Sequence, residues 1–188
     1  MRKQKNVILK NVITLFIVVL ISIGCTPPEK DSTTVANLIL EEYNYKLEPY
    51  QDKIQFTLAT NEILNGVNES FKTKIYDTEF YFKEVKERTN DIMIIFGFNN
   101  QFNDTGKMLI PFRINAANNT WMGTVKREAF NESGEPGDFG SGASGNTSVL
   151  ENTFEGQIYY FIEPDELMNG EQWTFVISGL NTLSYNKK

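Results

Sequence analysis

The sequence contains no histidine and only one cysteine, Cys25. Without histidine, catalytic triads of the Ser-His-Asp kind have no base, and ordinary zinc sites lose their imidazole ligands. A single cysteine cannot form an intramolecular disulfide, so the chain must be held together by packing. The glycine-rich run at residues 134–145 has no lysine after its final glycine, and it therefore does not match a phosphate-binding loop. No cofactor is indicated by any motif.

The N-terminal residues have the layout of a signal peptide. Four basic residues precede residues 11–24, a run that contains no ionisable side chain. The apolar part of this run, residues 12–21, has the length of a secretory h-region and is shorter than the roughly 20 residues of a spanning helix. We therefore expect residues 1–24 to be a removable leader that directs export.

The leader ends at Ser22-Ile23-Gly24-Cys25, which resembles the bacterial lipobox. This resemblance implies cleavage before Cys25 and attachment of palmitate-containing lipid to that cysteine, on the extracytoplasmic face of a cell membrane. Ser22 stands where leucine is usual in the motif, although Leu20 and Ile21 lie just upstream. The alternative is an uncleaved anchor with an incidental cysteine. Lipidation is favoured because a lone thiol is unusual in an exported protein.

The part that follows the leader is acidic. Loss of residues 1–24 leaves 14 basic and 24 acidic residues, a net charge of −10. Nucleic acid is therefore an unsuitable partner, because its phosphates are recognised by clustered Lys and Arg. Residues 25–34 are polar and rich in proline at their start, and they predict a solvated tether. Residues 35–188 are then expected to form a single domain.

Hydrophobic periodicity predicts an all-β, antiparallel sandwich. Residues 35–47 fit a short helix or a strand, with the helix favoured and ending near Pro49. About seven strands are expected to follow. The apolar run at residues 92–98 predicts a central strand, and residues 158–162 and 173–177 predict a pair of strands that lie side by side. Pro111 indicates a sheet edge or a bulge within residues 108–114.

The order of these strands carries a resemblance to a known family. A strand ending near Val85, the long apolar strand at residues 92–98, and the closing segments 155–164 and 173–177 together resemble the small Ig-like domain of Gram-positive lipoproteins. That family is largely of unknown function. The resemblance implies an Ig-like sandwich that is displayed at the surface and is not an enzyme, and it transfers no catalytic residue.

Carboxylates are the remaining candidates for chemistry. A glycoside hydrolase needs two of them facing each other across a cleft, and the candidates are Glu128, Glu132, Asp138 and Glu163. A calcium site would draw on oxygen ligands that cluster in one loop, namely Asn131, Glu132, Glu135 and Asp138. Their spacing matches no EF-hand, and ordinary solvated charges are the favoured interpretation of both sets.

Aromatic side chains are the candidates for binding. Trp121 follows a turn-like sequence and is expected to be exposed, and Tyr159 faces away from the apolar neighbours in its strand. Residues 131–148 predict a mobile, exposed loop that carries Phe139 as its bulky apolar group. We therefore expect a binding or interaction module of the cell envelope, with an envelope protein or a glycan as partner. A polysaccharide hydrolase is the alternative.

Overall fold

The structure is a computed structural model, and it describes residues 35–65, 71–117, 120–145 and 153–188. The described residues all belong to one compact unit, Thr33–Lys188. The predicted leader, lipobox and tether, including Cys25, lie outside the described residues. Among the helices that are described, none is both long and apolar enough to span a membrane.

The described residues form three short helices and thirteen strands. The helices are α1 (Val35–Glu42), α2 (Thr60–Asn65) and α3 (Pro164–Leu167). The strands are β1 (Tyr43–Pro49), β2 (Ile54–Ala59), β3 (Lys72–Ile75), β4 (Thr78–Glu87), β5 (Ile92–Gln101), β6 (Thr105–Ile110), β7 (Phe112–Asn115), β8 (Thr120–Gly123), β9 (Lys126–Asn131), β10 (Gly140–Gly145), β11 (Thr153–Ile162), β12 (Gln172–Ser178) and β13 (Asn181–Lys187).

The strands form several antiparallel sheets that pack against one another. A five-stranded sheet has the order β10-β11-β5-β4-β3, two three-stranded sheets have the orders β1-β13-β6 and β2-β12-β9, and β7 pairs with β8. Phe56 of β2 stacks on Phe96 of β5 with ring centroids 4.7 Å apart. The Tyr160 hydroxyl donates a hydrogen bond to the Val176 carbonyl of β12 at 2.9 Å. The predicted all-β, antiparallel sandwich is therefore confirmed.

Strand β5 is the central strand that its apolar run predicts. It lies between β4 and β11, and its inward-facing Ile94, Phe96 and Phe98 are at most 2% exposed. Ile95 points to the opposite face and is nevertheless 1% exposed. Burial on both faces explains why the run does not alternate with polar residues.

Two glycines in the five-stranded sheet allow aromatic rings to lie directly on the backbone. The Tyr81 ring of β4 occupies the space where a Cβ of Gly97 would stand, and the Phe98 ring does the same at Gly156 of β11. Tyr81 and Gly97 are also cross-strand partners, as are Phe98 and Gly156. Each ring thus covers a backbone position that lacks a side chain of its own.

The segment at residues 35–47 contains both of the structures that its sequence permits. Val35, Leu38 and Ile39 are buried on one side of α1, as helical spacing requires. The helix ends at Glu42, earlier than expected, and β1 continues as a strand along the whole of β13. The Lys188 ammonium donates to the carbonyls of Leu40 and Glu41, so it satisfies the end of the helix.

Two predictions about strand arrangement are wrong. Residues 158–162 and 173–177 belong to β11 and β12, which lie in different sheets and do not pair. Their connection is long because it crosses from one sheet to another and includes α3. The described residues form thirteen strands, whereas the sequence pattern predicts about seven. Short or glycine-rich strands such as β8 and β10 bury little and leave no clear apolar pattern.

The prediction of a loop at residues 131–148 is wrong for residues 140–145, whereas residues 132–139 do form a largely exposed loop between β9 and β10. Residues 140–145 form β10, an edge strand paired with β11 from Gly140–Phe161 to Gly145–Gly156. The backbone hydrogen bonds of the ladder order this segment without side-chain burial. Residues 146–148 lie outside the described residues. Pro111, by contrast, separates β6, an edge strand, from β7, as its residue type indicates.

Candidate functional site

A pocket of about 340 Å³ opens beside the β7–β8 hairpin. Its volume lies in the range of small-molecule sites in proteins. We call it the aromatic pocket, because four aromatic rings contribute to its walls. The described residues that line it are Val35, Phe98, Pro111, Phe112, Trp121, Gly123, Val125, Arg127, Ala143, Ser144, Gly145 and Phe154.

The pocket exists because small residues stand where a filled core would have large ones. Ala143 pairs with the buried Ile158 and Gly145 with Gly156, so both stand on the pocket side of β10, where they are exposed to the opening. A Cβ built on Gly123 would meet no atom within 4 Å. The chain therefore borders the opening at these positions without filling it.

The aromatic walls form a continuous series of ring contacts. Phe98 lies 5.6 Å from Phe154, Phe154 lies 5.9 Å from Phe112, and Phe112 lies 5.8 Å from Trp121, measured between ring centroids. The first three rings are at most 6% exposed, whereas Trp121 is 50% exposed. The series thus leads from the core to the solvent, and Trp121 forms the rim.

The β7–β8 hairpin holds Trp121 at this rim. Ile114 pairs with Trp121 and Phe112 with Gly123, so these four residues share the face that is turned to the pocket. Arg113 pairs with Met122 on the opposite face, and Met122 is 64% exposed. Alternation along two short strands therefore separates a face turned to the pocket from a solvated one.

Arg127 brings the charge to the pocket. It pairs with Ile177 on β12, and Ala129 pairs with Phe175, so Arg127 occupies an inward-facing register of β9. Its side chain is half-buried, and its Nε donates a hydrogen bond to the Ser141 hydroxyl of β10 at 3.1 Å. No carboxylate forms an ion pair with it among the described residues.

The three aromatic residues predicted for binding lie in three different places. Trp121 is exposed as expected and lines the pocket. Tyr159 lies on the outer face of the five-stranded sheet, where it stacks with Phe161 at 6.2 Å and hydrogen-bonds Ser144. Phe139 packs edge-on against Trp173 at 5.0 Å and against Phe175 at 5.6 Å. Phe139 is therefore half-buried against the core and not fully exposed as expected, and its role in binding stays a prediction.

The candidate carboxylates serve the local structure of their loops. Glu132 accepts hydrogen bonds from the backbone N–H groups of Glu171 and Gln172 at 3.1 and 3.2 Å. Backbone hydrogen bonds, from its own N–H and then from Gln172, lower the pKa of the Glu132 carboxyl. Glu128 lies 3.8 Å from the Lys53 ammonium. The remaining two, Asp138 and Glu163, are exposed.

The proposed calcium loop is organised by an asparagine. The Asn131 side-chain oxygen accepts the N–H groups of Ser133 and Glu135, at 3.0 and 2.9 Å, and its amide donates to the Glu135 carboxylate. In the part of the chain that the structure describes, no group of three or more acidic, histidine or cysteine residues is placed to hold a metal ion.

Most of the pocket is missing from the sequence-based prediction. The sequence pattern of residues 120–123 and 126–131 does not predict strands, so it does not show the alternation that turns Trp121 and Arg127 towards the pocket. The signal that identifies Arg127 is its spacing of two from the small, buried Ala129 within Lys126–Asn131. Ala143 and Gly145 gave no signal, because a glycine-rich edge strand has the composition of a loop.

Comparison of the chain with protein-family models, curated proteins and solved structures finds no match. The resemblance to the small Ig-like domain therefore stays a prediction. The geometry of the aromatic pocket is the observation from which function must be argued.

Proposed function

We propose that this protein is a non-enzymatic binding module, anchored by lipid on Cys25 at the extracytoplasmic face of a membrane, and that the aromatic pocket is its ligand site. The observation that carries this proposal is the pocket itself, an opening of about 340 Å³ between packed sheets with Trp121 exposed at its rim. Exposing a tryptophan beside an apolar opening costs free energy that burial would recover. A ligand that covers the ring recovers it.

The position of the pocket also fits a membrane-anchored module. Val35 lines the pocket, and it lies ten positions after Cys25, the first residue of the mature chain if the chain is cleaved and lipidated as proposed. A fully extended chain of that length reaches roughly 35 Å. The pocket would then work close to the bilayer surface, with the acidic domain held off anionic lipid by repulsion.

Binding is tested with the neutral apolar dye N-phenylnaphthylamine. The full chain is placed in phosphatidylcholine nanodiscs, and fluorescence is corrected with empty nanodiscs. We expect saturable binding that Trp121→Ala weakens about tenfold or more, because the substitution removes one wall of the pocket. Met122→Ala is the matched control, since Met122 is the next residue and faces away. Absence of saturable binding by the folded wild-type chain would overturn the assignment of the pocket.

Anchoring is tested separately by labelling cells with palmitate. We expect the wild-type chain to incorporate label and Cys25→Ala to leave an unlabelled, unprocessed precursor. Ser22→Leu, which restores the usual lipobox residue, should be labelled at least as well as the wild type. Label that persists in Cys25→Ala would show that the lipid lies elsewhere or that the lipoprotein proposal is wrong.

A further inference from the structure

Of the described residues that line the aromatic pocket, Arg127 alone carries a charge. It stands in the same register as Ala129, whose neighbours across the strand pair are core residues of β12. Inward-facing positions of a sandwich strand normally hold apolar side chains. An arginine at this position is therefore unusual, because a charge next to apolar groups is stabilised only when it is paired and hydrogen-bonded.

The described contacts satisfy only part of the guanidinium. It has five N–H donors in a fixed planar arrangement, and the structure shows one hydrogen bond, from Nε to the neutral Ser141 hydroxyl. That bond fixes the Nε edge of the group against β10. Glu128, the next residue, lies on the other face of β9 and is near Lys53. The positive charge of Arg127 is thus directed at the pocket without a paired carboxylate among the described residues.

Resting on the proposal that the pocket is a ligand site, we infer that its ligand is an apolar molecule carrying one anionic group, and that Arg127 binds that group. The aromatic walls take the apolar part, while the guanidinium forms charge-assisted hydrogen bonds with the anion. A fatty acid from the adjacent bilayer and an aromatic acid from solution share this chemistry. Arg127 is a binding residue here, and no covalent step is involved.

The experiment uses two dyes that differ in one charged group. Anilinonaphthalene sulfonate is anionic, and N-phenylnaphthylamine is its neutral analogue. Each is titrated into the full chain in phosphatidylcholine nanodiscs, with empty nanodiscs as the blank. We expect the wild type to prefer the anionic dye, although the net charge of −10 on the proposed mature chain opposes it. Such a preference requires a local cation.

Substitutions of the arginines test whether Arg127 is the cation that binds the anionic dye. Arg127→Gln is expected to weaken the anionic dye about tenfold or more, the usual effect of losing a charge-assisted hydrogen bond, and to leave the neutral dye within about twofold. Arg127→Lys should retain part of the preference. Arg113→Gln makes the same change in net charge on the solvated face of the hairpin, and it should alter neither affinity.

The outcomes separate this inference from the proposed function. Equal binding of both dyes, unaffected by Arg127→Gln, overturns the inference and leaves the pocket as a ligand site. No binding of either dye overturns both. If Arg127→Gln does not fold, the wild-type preference and the Arg127→Lys variant decide the question.

Competition then distinguishes the two sources of the ligand. Dodecanoate represents a fatty acid and naphthoate an aromatic acid, with dodecanol as the neutral match of the first. Displacement of the anionic dye by one or both acids supports the inference and identifies the source. The inference is overturned if dodecanol displaces the anionic dye as effectively as dodecanoate does. It is also overturned if neither acid displaces the dye.

Discussion

Aromatic rings pack at similar distances at the centre of the sandwich and at the aromatic pocket, but the centre is filled and the pocket is open. At the centre, Phe96 lies between 4.7 and 5.8 Å from Phe56, Phe175 and Tyr160. At the pocket, Phe98, Phe112 and Phe154 have similar spacings of 5.6 to 5.9 Å. The difference is what faces the rings. Large side chains surround Phe96, whereas glycine and alanine face the second set.

This comparison shows that a cavity in a β-sandwich depends on the small residues more than on the aromatic ones. The rings supply a rigid apolar wall in both regions. Whether that wall is covered by core residues or borders an open pocket is decided by residues such as Ala143 and Gly145, which stand on the pocket side of β10 and leave the opening unfilled. The predictions below test this division, beginning with the centre.

The largest expected effect is at Phe96, which is 0% exposed and contacts rings of both layers. Phe96→Ala should lower the free energy of unfolding by about 3 to 5 kcal/mol, since it removes a buried ring and leaves a cavity. Denaturant unfolding measures this loss. Tyr159→Ala, in the neighbouring strand but on the outer face, is the control and should cost much less. An unchanged midpoint for Phe96→Ala would contradict the placement of β5 at the centre.

An intermediate effect is expected at Phe139, which tests where the core ends. Its ring contacts Trp173, Phe175 and Tyr160, but the residue is only half-buried. Phe139→Ala should therefore cost about 2 kcal/mol, below the range for fully buried phenylalanine. Thermal unfolding measures it, with the exposed Asp138→Ala as a neighbouring control. If Phe139→Ala is as stable as the wild type, the Phe139 ring does not pack against the core, and its segment is an unpacked loop.

A smaller effect is expected from the Tyr160 hydroxyl. Burial raises the pKa of this phenol above its ordinary value of 10. A group whose pKa is raised on folding stabilises the folded state below pH 10, and that contribution is lost as the pH rises towards the folded value. Tyr160→Phe should cost about 1 kcal/mol at neutral pH, because it removes the hydrogen bond to Val176.

The two chains should then converge in alkali. Unfolding free energies of wild type and Tyr160→Phe are compared at neutral pH and above pH 10, and Tyr45→Phe, at a partly exposed position of β1, provides the control. A wild type that loses no stability relative to Tyr160→Phe in alkali would show that the phenol is not buried as described.

The smallest effect on stability is expected at the pocket. Ala143→Leu adds a side chain that faces open space, so the free energy of unfolding should change by less than about 1 kcal/mol in either direction. Dye binding should nevertheless fall by about tenfold or more, because the ligand volume is occupied. Ser141 is not suitable as a control since it contacts Arg127, and Thr57→Leu on the outer face of β2 serves instead. A large loss of stability would mean that the pocket is filled in the native state.

The sequence was informative wherever burial leaves a strong pattern. The two-sided apolar run of β5 predicts the strand at the centre of its sheet, and the alternation of Ile54, Phe56 and Leu58 predicts β2, an edge strand that buries one face. Pro111 located the break between β6 and β7 for the reason expected of a residue that cannot donate a backbone hydrogen bond. These features depend on local chemistry alone.

Pairing partners and the pocket depend on contacts between distant parts of the chain. Nothing within residues 153–178 shows that β11 pairs with β5 while β12 pairs with β2, since both strands present apolar side chains to the core. The pocket requires β7, β8, β9 and β10 to meet at one place, and each of these strands is six residues or shorter. Of the residues that line the pocket, the sequence predicts only Trp121 as a binding residue, because its exposure follows from the turn beside it.

The rings that cover Gly97 and Gly156 restrict how this sheet can change over evolutionary time. A side chain at either glycine would occupy the space already taken by the ring of Tyr81 or Phe98. The ring must therefore become smaller before the glycine can become larger, and the reverse order passes through an intermediate in which the ring is displaced from its place over the backbone. Homologues should accordingly show each glycine and its aromatic partner replaced together, as a compensated pair, and the variant with a small residue at both positions is the permitted path between them.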